Sequence, residues 1–591
     1  MPLRQLVEHA KNEAAGETPR YYRSRAVQWA ISIDRNGDGT LIDRTDPGTR
    51  AAAQQAAPYV TRTSGIAAML LVDTLEYVFG VAKDDTDRAQ TAADRRNDAY
   101  LALLHDWRAA SGDPVASIVC DFFDQEKHLR LPLPDDVASS EIVGILVDNE
   151  WAHRRPSAIE FWASESRKRK SSGAEGICLS CGDPGPLLKT VPYMIKSSLV
   201  PVGVDGKGRP KRGRDAALVS INTSAQGRGG NLQLGNTPLC EECGAQAMAA
   251  LNRLLSDERH RRRGEDSVVT WWLREAGDLD LMVIDQPEPE DVNALLDQVH
   301  KGTHRTAIDT NAFYALTLSA NQSRIVVRDW VEVPVAEIKE RLAAWFDDHC
   351  ATDRWSDGAH YVPLWAMVRA SGRWDRTKKQ YVAGSTVHGL ERDLLRAALH
   401  AVPPPSSLVS QLLHRIRNDH NIDLPRVAML RLTLTRPPFK EKIMPGLDET
   451  ATNPAYVWGR IFAVLEAIQR RALPDVNATI RDRYFGLAMT QPEATMRMLR
   501  TNANGHLKKL IGKDATRGAG LALDGRLASL SLLLDPDAGL PAHLDARGQM
   551  HFILGYDQQR ATDMAAARAA NATKQAKQAN GANTTAETAQ I

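Results

Sequence analysis

The spacing of apolar residues predicts a mixed α/β N-terminal part. Residues 3–14 follow the period of an amphipathic helix, and apolar and polar residues alternate from Ala26 to Ile33 as in a half-buried strand. The Asn-Gly and Asp-Gly pairs at 36–39 favour a hairpin turn. They also resemble the start of a calcium loop, but Thr45 stands where that loop needs a glutamate. Helical spacing is predicted for residues 62–79, and a charged helix from 85 to about 110.

The later patterns separate strands from helices. Apolar and polar residues alternate again over residues 313–333, which predicts strands. The apolar residues of 390–556 have mainly helical spacing, and Asn453-Pro454 is typical of a helix start. An acidic, proline-containing stretch at 278–297 is typical of a linker. The end of the chain, from about residue 561, is rich in Ala, Thr, Asn and Gln and is not expected to pack.

These patterns predict an α+β, multidomain protein. The expected parts are a mixed α/β N-terminal part (1–150), a basic loop-rich module (151–277), a mixed α/β part that begins with the acidic linker (278–389), a C-terminal helical bundle (390–557) and a disordered tail (558–591).

Composition narrows the class of protein. The chain has 591 residues, 43% of them hydrophobic and 25% charged, which is close to the globular average. Its longest apolar runs, such as 66–72, are far shorter than the ~20 residues that span a bilayer. The charged N-terminus lacks the apolar core of a secretory signal. A cytoplasmic protein without a membrane partner is therefore expected.

The near-neutral net charge of the chain conceals a basic segment. Lys and Arg total 74 against 73 Asp and Glu, so the chain as a whole does not have the composition of a uniformly basic nucleic-acid binder. Between residues 154 and 214, however, 13 basic residues stand against five acidic ones, a net charge of +8. Any contact with nucleic acid is therefore expected to be local.

Two C-x-x-C pairs flank the end of this segment and are the strongest local motif. Cys178 with Cys181 and Cys240 with Cys243 can present four thiolates to one tetrahedral zinc ion, which would be structural because no coordination position stays open. The alternative is a set of ordinary buried thiols or a redox pair.

The residues between the two pairs are suited to nucleic acid. Lys and Arg can neutralise phosphates, while Asn and Gln carry paired donors and acceptors that can read base edges. The alternative is a solvated basic loop. The DNA-binding candidates are Lys196, Arg209, Lys211, Arg212, Arg214, Asn222, Arg228, Asn231, Gln233 and Asn236.

Candidates for nucleic-acid backbone contacts also lie outside the cysteine pairs. Arg324 and Arg328 share one face of a predicted strand, where they could equally pair with acids. Lys508 and Lys509 lie on a predicted helix, whose basic residues could also be a solvated face, and Arg62 is a further candidate. The sequence has no G-x-x-x-x-G-K-[ST], G-x-S-x-G or H-E-x-x-H motif, so no enzymatic activity is expected.

Separated segments along the chain resemble a known family. The chain is similar to the large subunit of the subtype I-C Cascade, the CRISPR RNA-guided surveillance complex. It departs from the pattern of that family in the two C-x-x-C pairs and in the loop from Gly203 to Gly230. The segments that carry the resemblance are TRTSG (61–65), LEYVFG (75–80), LVSIN (218–222), GNTP (235–238), LTLSANQSR (316–324), AYVWGRIFAVLEAIQ (455–469), NATIRDRYF (477–485), HLKKL (506–510) and FILGY (552–556).

The resemblance implies a non-catalytic subunit of a ribonucleoprotein complex for antiviral defence. Such a subunit contacts the CRISPR RNA, the Cascade backbone and other Cascade subunits. It recognises the protospacer-adjacent motif in target double-stranded DNA, assists duplex opening and R-loop formation, and recruits a helicase-nuclease. The C-terminal bundle resembles the small subunit, which internal translation from a start near Met489 could produce separately.

Two other classes of function stay open from the sequence. A stand-alone zinc-dependent DNA-binding regulator would bind duplex without a guide RNA. A nuclease with an unrecognised site would cleave nucleic acid in the presence of metal.

Overall fold

The protein is described by a computed structural model. Backbone alone is given at residues 321, 324, 574 and 576–588. The described residues are 2–12, 19–49, 51–62, 65–134, 137–203, 211, 213–277, 279–303, 311–321, 324–356, 358–535, 537 and 539–588.

The first part of the chain combines helices with a mixed sheet of strand order β3-β2-β6-β5, in which β7 also pairs with β6. Strands β2 and β6 are parallel, whereas β1 pairs separately with β4. The elements are α1 (Pro2–Asn12), β1 (Tyr22–Val27), β2 (Trp29–Ile33), β3 (Gly39–Asp43), β4 (Ala53–Pro58), β5 (Val72–Thr74), α2 (Leu75–Val78), α3 (Asp87–Ser111), α4 (Pro114–Asp124), β6 (Ile142–Val147), β7 (Glu150–Trp151), α5 (Pro156–Lys170), β8 (Ser171–Ile177) and β9 (Pro184–Leu188).

The middle of the chain is built on an antiparallel sheet of order β10-β11-β12-β13. Two further pairs, β14 with β15 and β16 with β17, are short hairpins. The elements are α6 (Glu241–Ser256), β10 (Arg261–Arg263), β11 (Val268–Leu273), α7 (Pro289–His300), β12 (Ala312–Asn321), β13 (Arg324–Pro334), α8 (Val335–His349), β14 (Ala351–Thr352), β15 (Ala359–His360), α9 (Leu364–Ala370), β16 (Trp374–Asp375) and β17 (Gln380–Tyr381).

The remainder is helical. Helix α13 packs against α15, α16 and α17, and α12 packs against α8 and α17. The elements are α10 (Leu390–His400), α11 (Ser406–Asp419), α12 (Leu424–Thr435), α13 (Pro454–Ala472), α14 (Ile480–Thr490), α15 (Pro492–Ile511), α16 (Asp514–Ser531) and α17 (Ala546–Thr588).

The antiparallel sheet has two apolar faces because its side chains alternate. Trp271 and Phe313 face the core that α7, α8 and the C-terminal helices share. Trp272 and Tyr314 face a second core, formed with α1, α6 and the segment between the cysteine pairs. The sheet therefore connects the cysteine-bearing part of the chain to the helical part.

The predicted fold class, α+β with a helical C-terminal region, is confirmed. The predicted N-terminal helix and the charged helix correspond to α1 and α3. The strands predicted within residues 313–333 correspond to β12 and β13, which pair antiparallel. Residues 36–39 lie in the antiparallel connection between β2 and β3 rather than in a helix-flanked calcium loop. The strand predicted from Ala26 to Ile33 is divided at Gln28 into β1 and β2, which pair with different partners.

The helix predicted for residues 62–79 is wrong except for its last turn, α2. Val72 pairs with Gly144 of β6, and the buried carboxylate of Asp73 accepts from the Met69 N–H at 2.8 Å. Leu71 has a φ of +63°, a left-handed conformation that interrupts a helix. Long-range strand pairing thus overrides the local spacing.

Two segments pack more closely than their composition indicates. Within the acidic stretch, Leu281 and Ile284 are buried and α7 packs against α8, so this stretch is not an exposed linker. Gln558 and Gln559 of α17 are also buried, so packed structure continues past residue 557. In addition, Trp162 of α5 belongs to the N-terminal core. The proposed division into domains stays a prediction.

A glycine contact joins α13 and α17. A Cβ atom on Gly459 would lie 2.1 Å from the Phe552 carbonyl oxygen, and one on Gly555 would lie 2.1 Å from the Tyr456 carbonyl oxygen. No Cβ atom fits at such distances, so the two backbones approach closely only because both residues are glycine.

We expect Gly459→Ala to lower the free energy of unfolding by about 1–3 kcal/mol, because the added methyl group forces the two helices apart. Gly505→Ala in α15 is the matched control, since a Cβ there meets nothing within 4 Å. The control should leave stability unchanged or raise it by about 0.5–1 kcal/mol. Equal melting curves for the two variants would contradict the proposed close contact.

Candidate metal centre and nucleic-acid interface

The first cysteine pair lies in the turn between β8 and β9. The Cys178 carbonyl accepts from the Gly182 N–H at 2.9 Å, and the Cys178 N–H donates to the Asp183 carbonyl at 3.0 Å. The Ser180 N–H donates to Cys178 Sγ at 3.4 Å. Gly182 has a φ of +85°, which glycine adopts without strain. This tight turn brings Cys178 and Cys181 together.

The second cysteine pair begins α6. Cys240 is the N-cap residue, and its Sγ accepts from the Cys243 N–H at 3.5 Å. The positive end of a helix dipole stabilises thiolates. The Leu179 N–H donates to the Pro238 carbonyl at 2.9 Å, which attaches the segment before α6 to the first turn. Both pairs therefore converge from opposite ends of the intervening segment.

The four cysteines form one cluster. Their Sγ atoms all lie within 4.8 Å of one another, and those of Cys181 and Cys240 are 3.9 Å apart. Zinc with Zn–S bonds of about 2.3 Å would separate tetrahedral sulfur atoms by about 3.8 Å. All four are free thiols. The cluster can hold a metal ion, and its donor atoms and spacing are compatible with zinc; within the described residues it is the one such group found.

The electrostatics of the cluster favour a bound cation. Burial opposes ionisation of the Cys178 thiol, but backbone N–H groups of Cys181, Cys240 and Ser180 outweigh it and lower the pKa of Cys178 to about 7. Burial raises the pKa of Cys243, and the sulfur atoms of Cys240 and Cys178 add to that increase. Four adjacent thiolates repel one another, and a divalent cation removes that repulsion.

Part of the segment between the pairs forms an antiparallel arm, here called the basic arm (described residues 195–203, 211 and 213–216). Ile195 and Ala216 exchange backbone hydrogen bonds of 2.9 and 3.2 Å, and the Lys211 N–H donates to the Gly203 carbonyl at 3.0 Å. The Ala320 N–H of β12 donates to the Pro201 carbonyl at 3.2 Å, which attaches the arm to the sheet.

Some of the Lys and Arg side chains predicted to bind DNA are exposed on the arm. Lys211 and Arg214 are exposed, whereas Lys196 is half-buried. Burial and then the neighbouring Arg23 hold the pKa of Lys196 below its usual value. The predicted residues Arg209 and Arg212 lie outside the described residues.

Two arginines distant in sequence adjoin the arm and were not predicted. Arg263, exposed on the edge strand β10, donates through Nη1 to the Ser198 carbonyl at 2.8 Å. Arg23 of β1 lies 3.7 Å from Asp215, which also accepts from the Ser197 N–H at 2.9 Å. The run of three arginines at 261–263 was the one sequence signal that pointed to this neighbourhood.

Residues 221–236, here called the polar loop, carry the predicted amide side chains. Ile221 and Gln233 close it with backbone hydrogen bonds of 2.6 and 3.2 Å. A Cβ on Gly227 would lie 1.7 Å from the Asn231 carbonyl oxygen, so the loop can fold back only at a glycine. Asn236 is half-buried and donates through Nδ2 to the carbonyl of Arg228 at 3.0 Å, so it holds the loop together.

Three predicted side chains of the polar loop face solvent. Asn222, Arg228 and Asn231 are exposed, and Asn222 Oδ1 accepts from the Ser220 hydroxyl at 3.1 Å. Gln233 is half-buried and has a φ of +55°. Exposed amides and a guanidinium can reach a duplex, whereas Gln233 and Asn236 shape the loop.

The remaining candidates are dispersed. Arg62 ion-pairs with the buried Asp73 and lies 4.0 Å over the Tyr77 ring, so its charge is already neutralised inside the N-terminal part. Arg324 begins β13, and its side chain lies outside the described part of the chain.

Arg328 and the two lysines are exposed. Arg328 lies at an irregularity in the pairing of β12 with β13, and its Nε donates to Ser319 Oγ at 2.6 Å. Lys508 and Lys509 lie on α15, which packs in the C-terminal core rather than in the core beside the arm. The arm and the polar loop both contribute to the core that contains α6, whereas Lys508 and Lys509 lie on a helix of the other core. Arg328 lies on the sheet strand that pairs with β12, to which the arm is attached.

The structural findings are accompanied by one family match. A family model described as CRISPR-associated protein (Cas_Csd1) matches residues 3–563. No curated protein matches the chain. In the described ranges, none of the helices has both the length and the apolar character needed to cross a membrane. The matched range includes both cysteine pairs, the basic arm and the polar loop.

We expect the purified chain to carry about one zinc ion. The double substitution Cys178→Ser with Cys240→Ser should abolish zinc binding, because each cysteine pair then loses one thiolate. Metal content per chain, measured by elemental mass spectrometry, tests this expectation. Cys350→Ala is the control, because Cys350 is a buried cysteine outside the cluster. Unchanged metal content in the double variant would show that the metal binds elsewhere.

Proposed function

The chain belongs to the Cas_Csd1 family of CRISPR-associated proteins and is accordingly a Cascade large subunit; from this premise we propose that it recognises the protospacer-adjacent motif in duplex DNA. The proposed reader is the segment between the cysteine pairs, held by a structural zinc ion. In this proposal the protein reads a short motif and the CRISPR RNA reads the remaining sequence by base pairing.

One observation carries the proposal: the cysteine cluster closes a segment that presents exposed cations and exposed amides together. Lys211 and Arg214 supply positive charge on the basic arm, and Arg263 extends that charge onto the edge of the sheet. Asn222 and Asn231 lie exposed in the polar loop of the same segment. Phosphate contacts position a protein on DNA, and base-edge contacts give it sequence preference.

The proposed division of labour follows from side-chain chemistry. The basic arm contacts phosphates, because Lys and Arg bring charge but little sequence information. The exposed amides of the polar loop face base edges, where Asn can donate and accept simultaneously. The metal contributes no catalysis in this proposal, because four thiolates fill its coordination sphere.

The wider proposed role is that of an assembly subunit. It contacts CRISPR RNA and the Cascade backbone and other Cascade subunits, assists duplex opening and R-loop formation, and recruits the helicase-nuclease. The C-terminal bundle, centred on α13 and α17, would occupy the position of a small subunit, and internal translation could supply further copies. We propose no catalytic activity for the chain itself.

Co-purification tests the assembly role. When the chain is expressed with the genes adjacent to its own, affinity purification should recover a short CRISPR RNA and a repeated backbone subunit. A chain that instead binds a specific duplex alone, without RNA or protein partners, would be a stand-alone zinc-dependent regulator. Metal-dependent cleavage by the purified chain would indicate a nuclease and would likewise contradict the proposal.

The two halves of the proposed reader should fail differently in the assembled complex. Lys211→Ala with Arg214→Ala should weaken binding to every duplex. It should also reduce the magnitude of the slope of log affinity against log salt concentration by about 2, since each lost phosphate contact removes about 0.9 from that slope. Asn222→Ala with Asn231→Ala should leave that slope unchanged. It should reduce discrimination between correct and altered flanking motifs by about 5- to 150-fold, as expected for the loss of a base contact worth about 1–3 kcal/mol.

Binding titrations at several salt concentrations measure both quantities. Arg35→Ala is the matched control, because Arg35 is exposed but already ion-paired with Asp148 at 2.7 Å. Equal weakening of all duplexes by the asparagine variant would identify those residues as phosphate contacts. A salt slope unchanged by the lysine and arginine variant would remove the arm from the interface.

A further inference from the structure

A short basic hairpin, residues 373–381, lies between α9 and α10 in the chain and was not among the predicted nucleic-acid contacts. Its strands are β16 and β17, and it carries four exposed cations but only one carboxylate, that of Asp375. The cations are Arg373, Arg376, Lys378 and Lys379. We propose that this basic hairpin binds the phosphate backbone of nucleic acid. The hairpin lies outside the segment between the cysteine pairs, so the inference goes beyond the proposed reader.

The positive charge of the basic hairpin is not neutralised within the described part of the chain. There, the side chains of Arg373, Lys378 and Lys379 form no ion pair or hydrogen bond. Arg376 donates through Nε to the Asp419 carbonyl at 2.8 Å, and a carbonyl group carries no net charge that could neutralise the guanidinium. A polyanion would remove the mutual repulsion of the four cations.

The carboxylates nearest to the cations are engaged by other groups. Asp375 Oδ1 accepts from the Thr377 N–H at 2.9 Å and from the Lys378 N–H at 3.1 Å, so this carboxylate holds the turn of the hairpin. Asp423 caps the start of α12 and also accepts from the Tyr381 hydroxyl. The surface of the basic hairpin therefore stays positive.

A buried arginine fixes the position of the basic hairpin. Arg426 of α12 is fully buried, and its Nη1 and Nη2 donate to Oδ1 and Oδ2 of Asp419 at 2.7 and 2.9 Å. Asp419 Oδ2 in turn accepts from the Trp374 N–H at 3.0 Å. Arg426 also donates to the carbonyl of Gly372, immediately before the hairpin, at 2.8 Å. A bidentate ion pair is geometrically specific, so the hairpin is ordered before a partner binds and loses less entropy on binding.

The side-chain chemistry favours nucleic acid over an acidic protein. The residues from Arg376 to Gln380 are exposed and all polar or charged. The two aromatic rings, Trp374 and Tyr381, are half-buried and pack edge to face, with their centroids 5.0 Å apart. Protein interfaces have an apolar centre and are depleted in lysine, whereas interfaces with nucleic acid are polar and strongly positive. A hairpin with adjacent lysines and no exposed apolar side chain therefore matches a phosphate backbone.

Titration of the purified full-length chain with two random-sequence probes tests the inference. The probes are a labelled duplex DNA and a labelled single-stranded RNA, each titrated at several salt concentrations. Lys378→Gln with Lys379→Gln should weaken binding to the probe that the hairpin contacts. The slope of log affinity against log salt concentration should fall in magnitude by about 2 for duplex DNA or about 1.4 for RNA, because two phosphate contacts are lost.

Lys440→Gln with Lys442→Gln is the matched control. Both lysines are exposed beyond the opposite end of α12, and Lys440 has a φ of +53°, close to the +51° of Lys379. The control removes the same charge from a similar backbone conformation and should leave both slopes unchanged. Thermal melting of each variant verifies that the fold is intact.

The outcomes identify the polymer and separate this inference from the proposed function. A smaller slope for the duplex alone assigns the hairpin to DNA, and a smaller slope for the single strand alone assigns it to RNA. If neither slope changes, or if the wild-type chain binds neither probe at low salt, the inference is overturned. It is also overturned if the variant loses a protein subunit from the assembled complex while both slopes are unchanged, since the partner is then an acidic protein.

The proposed function fails on a different measurement. It depends on discrimination between correct and altered flanking motifs, which the hairpin variant should leave intact because phosphate contacts carry little sequence information.

Discussion

The convergence of the two cysteine pairs is the constraint on which the proposed interface depends. Cys181 and Cys240 enclose a segment of nearly sixty residues whose ends must meet for the basic arm and polar loop to have any defined position. The backbone bond from Leu188 to Leu239 and the bond from Leu179 to Pro238 align those ends. A cation among the four sulfur atoms would turn their mutual repulsion into attraction and close the segment at its base.

The antiparallel sheet connects the cysteine-bearing part of the chain to the helical part. Trp272 and Tyr314 pack towards α6, whose first residues belong to the cysteine cluster, while Trp271 and Phe313 pack towards the helical part. One strand thus contributes to both cores, because neighbouring residues point to opposite faces. The cluster, the sheet and the C-terminal helices are consequently successive layers of one packed structure.

The near-neutral charge of the chain conceals two different uses of its basic residues. Arg62, Arg262 and Arg426 are paired with carboxylates inside the fold, where an unpaired charge would be costly. Lys211 and Arg214 are exposed on the basic arm, where charge is available to a partner. The number of charged residues does not distinguish paired basic residues from exposed ones, because the pairing depends on which carboxylate lies nearby in the fold.

The sequence alone determined those features that depend on short-range spacing. The C-x-x-C pairs identified the four cysteines, alternation of apolar and polar residues identified β12 and β13, and helical spacing identified the helical C-terminal region. Tertiary structure decided the features that depend on residues distant in the chain. Pairing with β6 replaced a predicted helix with β5, Asp73 neutralised Arg62, and the carbonyl of Arg228 engaged Asn236. The spacing of residues along the chain contains no information about such contacts.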